Sequence, residues 1–169
     1  MPDFGGLQPV AWIGILGIYG RLLSTAATQI VMKRLKTDDN SAMARAQFVL
    51  IGLLIGSLFV FALAGSFFLA LIAWWGIGIA RTLYGPLEDT WINRNLDSSV
   101  RATVISMRGQ VDAIGQIVGG PPVGIIGERL GIRAALVASG LILSPVLPLY
   151  LRFIRRNEPI TPVAAPIAD

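Results

Sequence analysis

Five apolar runs, at 10–32, 48–64, 67–85, 102–126 and 132–151, take up most of this 169-residue chain and are parted by short polar segments. Each is 17 to 25 residues long. At that length a helix crosses the hydrocarbon core of a bilayer, about 30 Å thick, at a rise of about 1.5 Å per residue. Strands of a membrane barrel would alternate in hydropathy over about ten residues, and the runs show no such alternation. Charged residues are 14% of the chain, against about 25% in soluble domains, too few to cover a water-facing surface. The expected fold is therefore all-α, a polytopic membrane helix bundle of about five transmembrane helices over residues 1–156. The Pro- and Ala-rich segment 157–169 is expected to be a disordered tail.

The connections sharpen this reading. Gly65 and Ser66 leave room only for a hairpin between antiparallel spans, and Gly127 to Gly131 reads as another turn. The polar segments 33–45 and 88–101 read as loops. Basic residues are distributed unevenly among them. Lys33, Arg34, Lys36, Arg45, Arg94, Arg101, Arg108, Arg152, Arg155 and Arg156 fall on one side of the alternating topology, and Arg129 and Arg133 on the other. Ten against two predicts a cytoplasmic C-terminus and, with five spans, an outside N-terminus. A cell-membrane, multi-pass location follows. The first run is not read as a signal peptide, because its positive charges follow the apolar stretch and Arg21 interrupts it.

The chain has no Cys and no His, which excludes thiol nucleophiles, disulfides, imidazole bases and the usual thiolate or imidazole metal ligands. No cofactor, metal or catalytic residue is expected, and no enzymatic activity. The net charge of +4 sits in connections between spans and is not interleaved with aromatics, so nucleic acid is not an expected partner. The lipid bilayer is. Gly76-Ile77-Gly78 begins like a dinucleotide fingerprint, but it lies within a span and lacks the third glycine.

Charges inside the spans are the candidates for function. Each costs about 2.5 to 3.5 kcal/mol near the bilayer centre, so such residues face a cavity or a partner. Arg21 lies about 16 Å in from Val10, and Asp112 about 15 Å in from Ala102, which places both near the midplane. Asp112 is read as a proton-titratable or substrate-contacting carboxylate, with Arg21 as a cavity cation at similar depth and Gln116 as a further pathway candidate; a permanently paired structural charge is the competing account. Arg81 lies nearer the cytoplasmic end of its run, where its side chain can reach headgroups. Glu88 and Asp89 read as a solvated helix end.

Glycines and prolines form a second group. Gly52 and Gly56, Gly115 and Gly119, and Gly120 and Gly124 each place small residues on one helical face, where helices can approach closely. Pro121 and Pro122, after Gly119 and Gly120, remove two backbone donors and predict a bend or break. It would serve either as a hinge along a pathway or as a fixed kink. Trp74 and Trp75 sit too deep for an interfacial belt and are expected to pack against helices, lipid or a cavity.

From Arg81 onward the chain resembles the C-terminal half of the major facilitator superfamily of secondary transporters. The stretches that carry the resemblance are 81–94, 101–107, Gly115 through Gly124, and 131–137. They look like the tenth to twelfth helices of that fold, and the first two runs would be its eighth and ninth. The spacing of Arg81 and Gly85 is similar to the fourth-helix Arg-Gly motif, and Gly120-Pro121 to the Gly-Pro antiporter motif of the fifth helix, each in its pseudo-symmetric position. The segment 33–45 lacks the Asp-Arg-x-Gly-Arg pattern expected between the eighth and ninth helices. The resemblance implies transport of a small-molecule substrate, efflux of a drug or metabolite with the proton as coupling ion. It also implies that this chain is the C-terminal portion of the transporter, with the missing N-terminal half as a partner. The alternative is a small non-transporting membrane protein that assembles with or regulates another membrane complex.

Overall fold

The computed structural model describes residues 9–35 and 39–156. Six helices account for nearly all of them, and no strand occurs among the described residues: α1 (Pro9–Arg34), α2 (Asn40–Leu63), α3 (Phe67–Asn95), α4 (Ser98–Leu130), α5 (Ile132–Leu143) and α6 (Val146–Arg156). The segment 157–169, expected to be disordered, and Lys36 lie outside the described residues.

Helix ends follow local chemistry. The Asp39 carboxylate accepts from the Ser41 N–H at 2.8 Å and starts α2. Ser66 Oγ accepts from the Leu69 N–H at 3.3 Å and starts α3, satisfying amides that the first turn leaves without partners. Gly131, at φ +90°, separates α4 from α5, so the turn expected over 127–131 contracts to one residue. The polar segment 88–101 is likewise not a loop. Pro86 lies inside α3, which continues to Asn95, and only Leu96 and Asp97 separate it from α4. Pro86 has no N–H to offer the Thr82 carbonyl, yet one missing bond does not stop a helix anchored on both sides.

The fifth run is the opposite case. Ser144 and Pro145 divide it into α5 and α6. The Ser144 N–H donates to the Gly140 and Leu141 carbonyls, and the Leu147 N–H to the Ser144 carbonyl, closing a tight turn. The two short helices still form one continuous apolar segment, Ile132–Arg156. With Ala11–Arg34, Asn40–Leu63 and Phe67–Arg94, it makes four segments long and apolar enough to cross a membrane. α4 has the length for a fifth crossing but is too polar to count among them.

Packing places α3 against α1 and α2, α2 against α5 and α6, and α5 against α4. The core joins Met43 and Leu50 of α2 to Leu83 and Leu87 of α3, with Val31, Met32 and Leu35 of the α1 end against them. At that same end Trp91 meets Phe153 edge to face, ring centres 5.6 Å apart, and the Trp91 Nε1–H donates to Asn40 Oδ1 at 3.1 Å. One end of the bundle therefore collects Lys33, Arg34, Arg45, Arg94, Arg101, Arg108, Arg152, Arg155 and Arg156. Arg129 and Arg133 lie at the other, where Arg133 donates to the Ala64 carbonyl.

Close approach of helices depends on glycines other than those the spacing singled out. A Cβ at Gly20 would run into the Trp75 indole at 2.8 Å, one at Gly76 into Ser57 Oγ, and one at Gly140 into the Phe59 ring at 3.0 Å. Gly52, Gly56, Gly115, Gly119, Gly120 and Gly124 have nothing within 4 Å of such a Cβ. Small residues permit contact, but here the partner helices lie on other faces. Trp75 is a packing residue, its Nε1–H donating to the Leu16 carbonyl at 3.2 Å.

A polar face between α3 and α4

The two helices α3 and α4 meet at the Leu96–Asp97 turn and do not pack along their lengths. One side chain spans the gap beside the turn. Arg108, nearly three turns into α4, reaches Glu88 at 2.6 Å with one guanidinium nitrogen and Asp89 at 2.5 Å with the other. Glu88 is the more enclosed carboxylate, its side chain 23% exposed against 61% for Asp89. Two carboxylates on one guanidinium form a charge-assisted fork. Its worth is modest in water and grows where solvent is excluded. Glu88 and Asp89 therefore lie within α3 and not at its end, and Asp89 remains exposed to solvent.

Polar groups continue from this fork in two directions. Towards the core, Tyr84, one turn from Glu88 on α3, faces the Tyr150 hydroxyl of α6, and that hydroxyl donates to Gln47 Oε1 of α2 at 3.3 Å. Gln47 is fully buried, and its Nε2 has no partner among the described residues. Along α4, Asp112 lies one turn beyond Arg108, within electrostatic reach of Glu88. Its Oδ2 accepts from Gln116 Nε2 at 2.9 Å. Arg108, Asp112 and Gln116 recur every four residues and so form a stripe on one face. One turn further, α4 passes through Pro121 and Pro122 without a break. The missing N–H groups leave the Ile117 and Val118 carbonyls without their usual donors.

The structure brings two of the candidate residues, Asp112 and Gln116, into contact. Asp112 is exposed on α4. Arg21 and Arg81 are also exposed, and neither makes a side-chain hydrogen bond or ion pair among the described residues. Arg81 changes position most. Because α3 continues to Asn95, Arg81 lies at the helix midpoint, about 21 Å from either end, and not near one terminus. Arg21 is likewise central in α1. Gly115, Gly119, Gly120, Pro121 and Pro122 form an unpacked stretch of α4, most of it exposed.

The members that were not anticipated are the Arg108 fork, Tyr84, Tyr150 and Gln47. A two-residue turn sets the ends of α3 and α4 beside one another, and the long Arg108 side chain reaches back to Glu88 and Asp89 once the helix ends are known. The arrangement places three carboxylates, one guanidinium and one amide together at the surface of α3 and α4. Protonating a carboxylate in it weakens its hold on Arg108. No group of three or more His, Cys, Asp or Glu side chains suited to a metal occurs among the described residues.

The fold and this face define a helical membrane protein, by the length and composition of its helices, with a polar face on one side. No family model, no curated protein and no solved structure matches the chain.

Proposed function

We propose that this chain forms part of a secondary transporter, the C-terminal portion of a protein that moves a drug or metabolite outward in exchange for protons. The observation that carries the reading is the polar face of α3 and α4: Arg108 forked on Glu88 and Asp89, with Asp112 and Gln116 in line along α4. Charges at such positions are too costly to leave against lipid, so they face a water-filled path or a further protein half. Secondary transporters bind substrate between two halves near the midplane. The resemblance of 81–137 to the major facilitator superfamily supports the same assignment. In this proposal α4 is a fifth crossing and the basic end of the bundle faces the cytoplasm. Arg21 and Arg81 line the path, and Pro121 and Pro122 keep backbone carbonyls available along it.

Everted membrane vesicles from cells expressing the locus provide the test. With an acid interior established, a panel of lipophilic cations and small metabolites is added and gradient collapse is followed by a pH-sensitive dye. At least one compound should collapse the gradient faster than in vesicles lacking the protein, and Asp112→Asn should remove that response. A panel without effect, or an unaltered response in Asp112→Asn, overturns the proposal. The nearly full exposure of α4 also suits the second reading, a non-transporting subunit of another membrane complex. That reading predicts no flux and stoichiometric co-purification with a second integral membrane protein.

A further inference from the structure

The end of α6 carries a site of a different kind. Pro148, Leu151, Arg152, Arg155 and Arg156 recur at helical spacing on one side of α6 and line a surface recess of about 310 Å³. None of the three arginines makes a side-chain hydrogen bond or ion pair among the described residues. They close the apolar segment Ile132–Arg156, so their guanidinium groups lie at the level where a bilayer gives way to headgroups. Leu151 is one turn deeper than Arg155, and Pro148 is about 10 Å deeper. Leu149, Leu151 and Phe153 are exposed around them. Along the helix axis the surface changes from apolar to three planar cations over two turns.

We infer that this recess binds the phosphate headgroup of an anionic phospholipid, with its acyl chains lying along Leu151 and Pro148. Guanidinium groups match phosphate oxygens with paired donors, and basic pockets at the membrane boundary select anionic headgroups. A free phosphate ion would satisfy the arginines but leave the apolar half of the recess unused. Lipid is the occupant that matches both. The inference is independent of the transport reading, because it uses no residue of the α3–α4 face.

The full chain is purified in detergent, incorporated into nanodiscs of phosphatidylglycerol and phosphatidylcholine, and released for native mass spectrometry to count the lipids it retains. The wild-type chain should retain phosphatidylglycerol preferentially. Each arginine removed should lower that preference about fivefold, the effect of one basic residue near an anionic surface. The variant Arg152→Gln, Arg155→Gln, Arg156→Gln should lose it, and Lys33→Gln, Arg34→Gln, Arg45→Gln should keep it. Circular dichroism confirms that both variants are folded, and the single Arg155→Gln variant, altered at one exposed position, repeats the comparison at smaller amplitude. Equal retention by wild type and the α6 variants overturns the inference. So does an equal loss in the control variant, which would make the effect one of diffuse charge. Displacement of the lipid by millimolar inorganic phosphate would assign the site to a free anion and overturn it as well.

Discussion

Gly131 illustrates how much one residue can decide in this chain. With φ at +90° and ψ at 164° it occupies backbone space that is almost exclusive to glycine, and it alone turns α4 back into α5. Gly131→Ala should cost about 1 to 3 kcal/mol, read as a lower melting temperature of the detergent-solubilised chain; an unchanged melting temperature would refute the strain. Its place in a turn was legible from the glycines at 127 and 131, but its sole responsibility was not, because Gly127 proves to be helical. Trp75 gives the same lesson. Its depth in a hydrophobic run was plain from sequence, whereas its seat over Gly20 and its bond to the Leu16 carbonyl depend on how α1 lies against α3.

Among the elements, prolines had two different outcomes. Pro86 and the Pro121–Pro122 pair stay within continuous helices, whereas Pro145 follows Ser144 at a turn that ends α5. Sequence identifies where a donor is missing; whether the helix stops there depends on local chemistry, such as the turn closed by Ser144. The extension of α3 past Pro86 matters most for the site. It brings Glu88 and Asp89 opposite Arg108 and moves Arg81 to mid-helix. Arg108→Gln should loosen the α3–α4 hairpin. Spin labels at Thr82→Cys and Val111→Cys, in a chain that has no Cys of its own, should report a broader and longer distance distribution in that variant. An unchanged distribution would show that the fork does not hold the hairpin. The expected loss of stability is about 1 kcal/mol or less, since Arg108 is partly exposed.

At the scale of the whole molecule, the helices alternate so that nine basic residues gather at one end and two at the other. If that end is cytoplasmic, Ser99→Cys should react with a membrane-impermeant maleimide only in everted vesicles and Ser66→Cys only in intact spheroplasts; the reverse pattern would invert the proposed orientation. The run lengths and the shortage of charge were enough to determine an all-helical bundle with membrane-spanning segments, because a hydrocarbon core admits few alternatives. The uneven distribution of basic residues was likewise available from sequence. Tertiary structure decided which glycines carry helix contacts, where α3 ends, and that α4 packs mainly on α5 and leaves Arg108, Asp112 and Gln116 along an open side. Those properties depend on which helix faces lie together. Hydropathy marks a segment as apolar without specifying its neighbours, since in a bilayer every face of a span can be apolar.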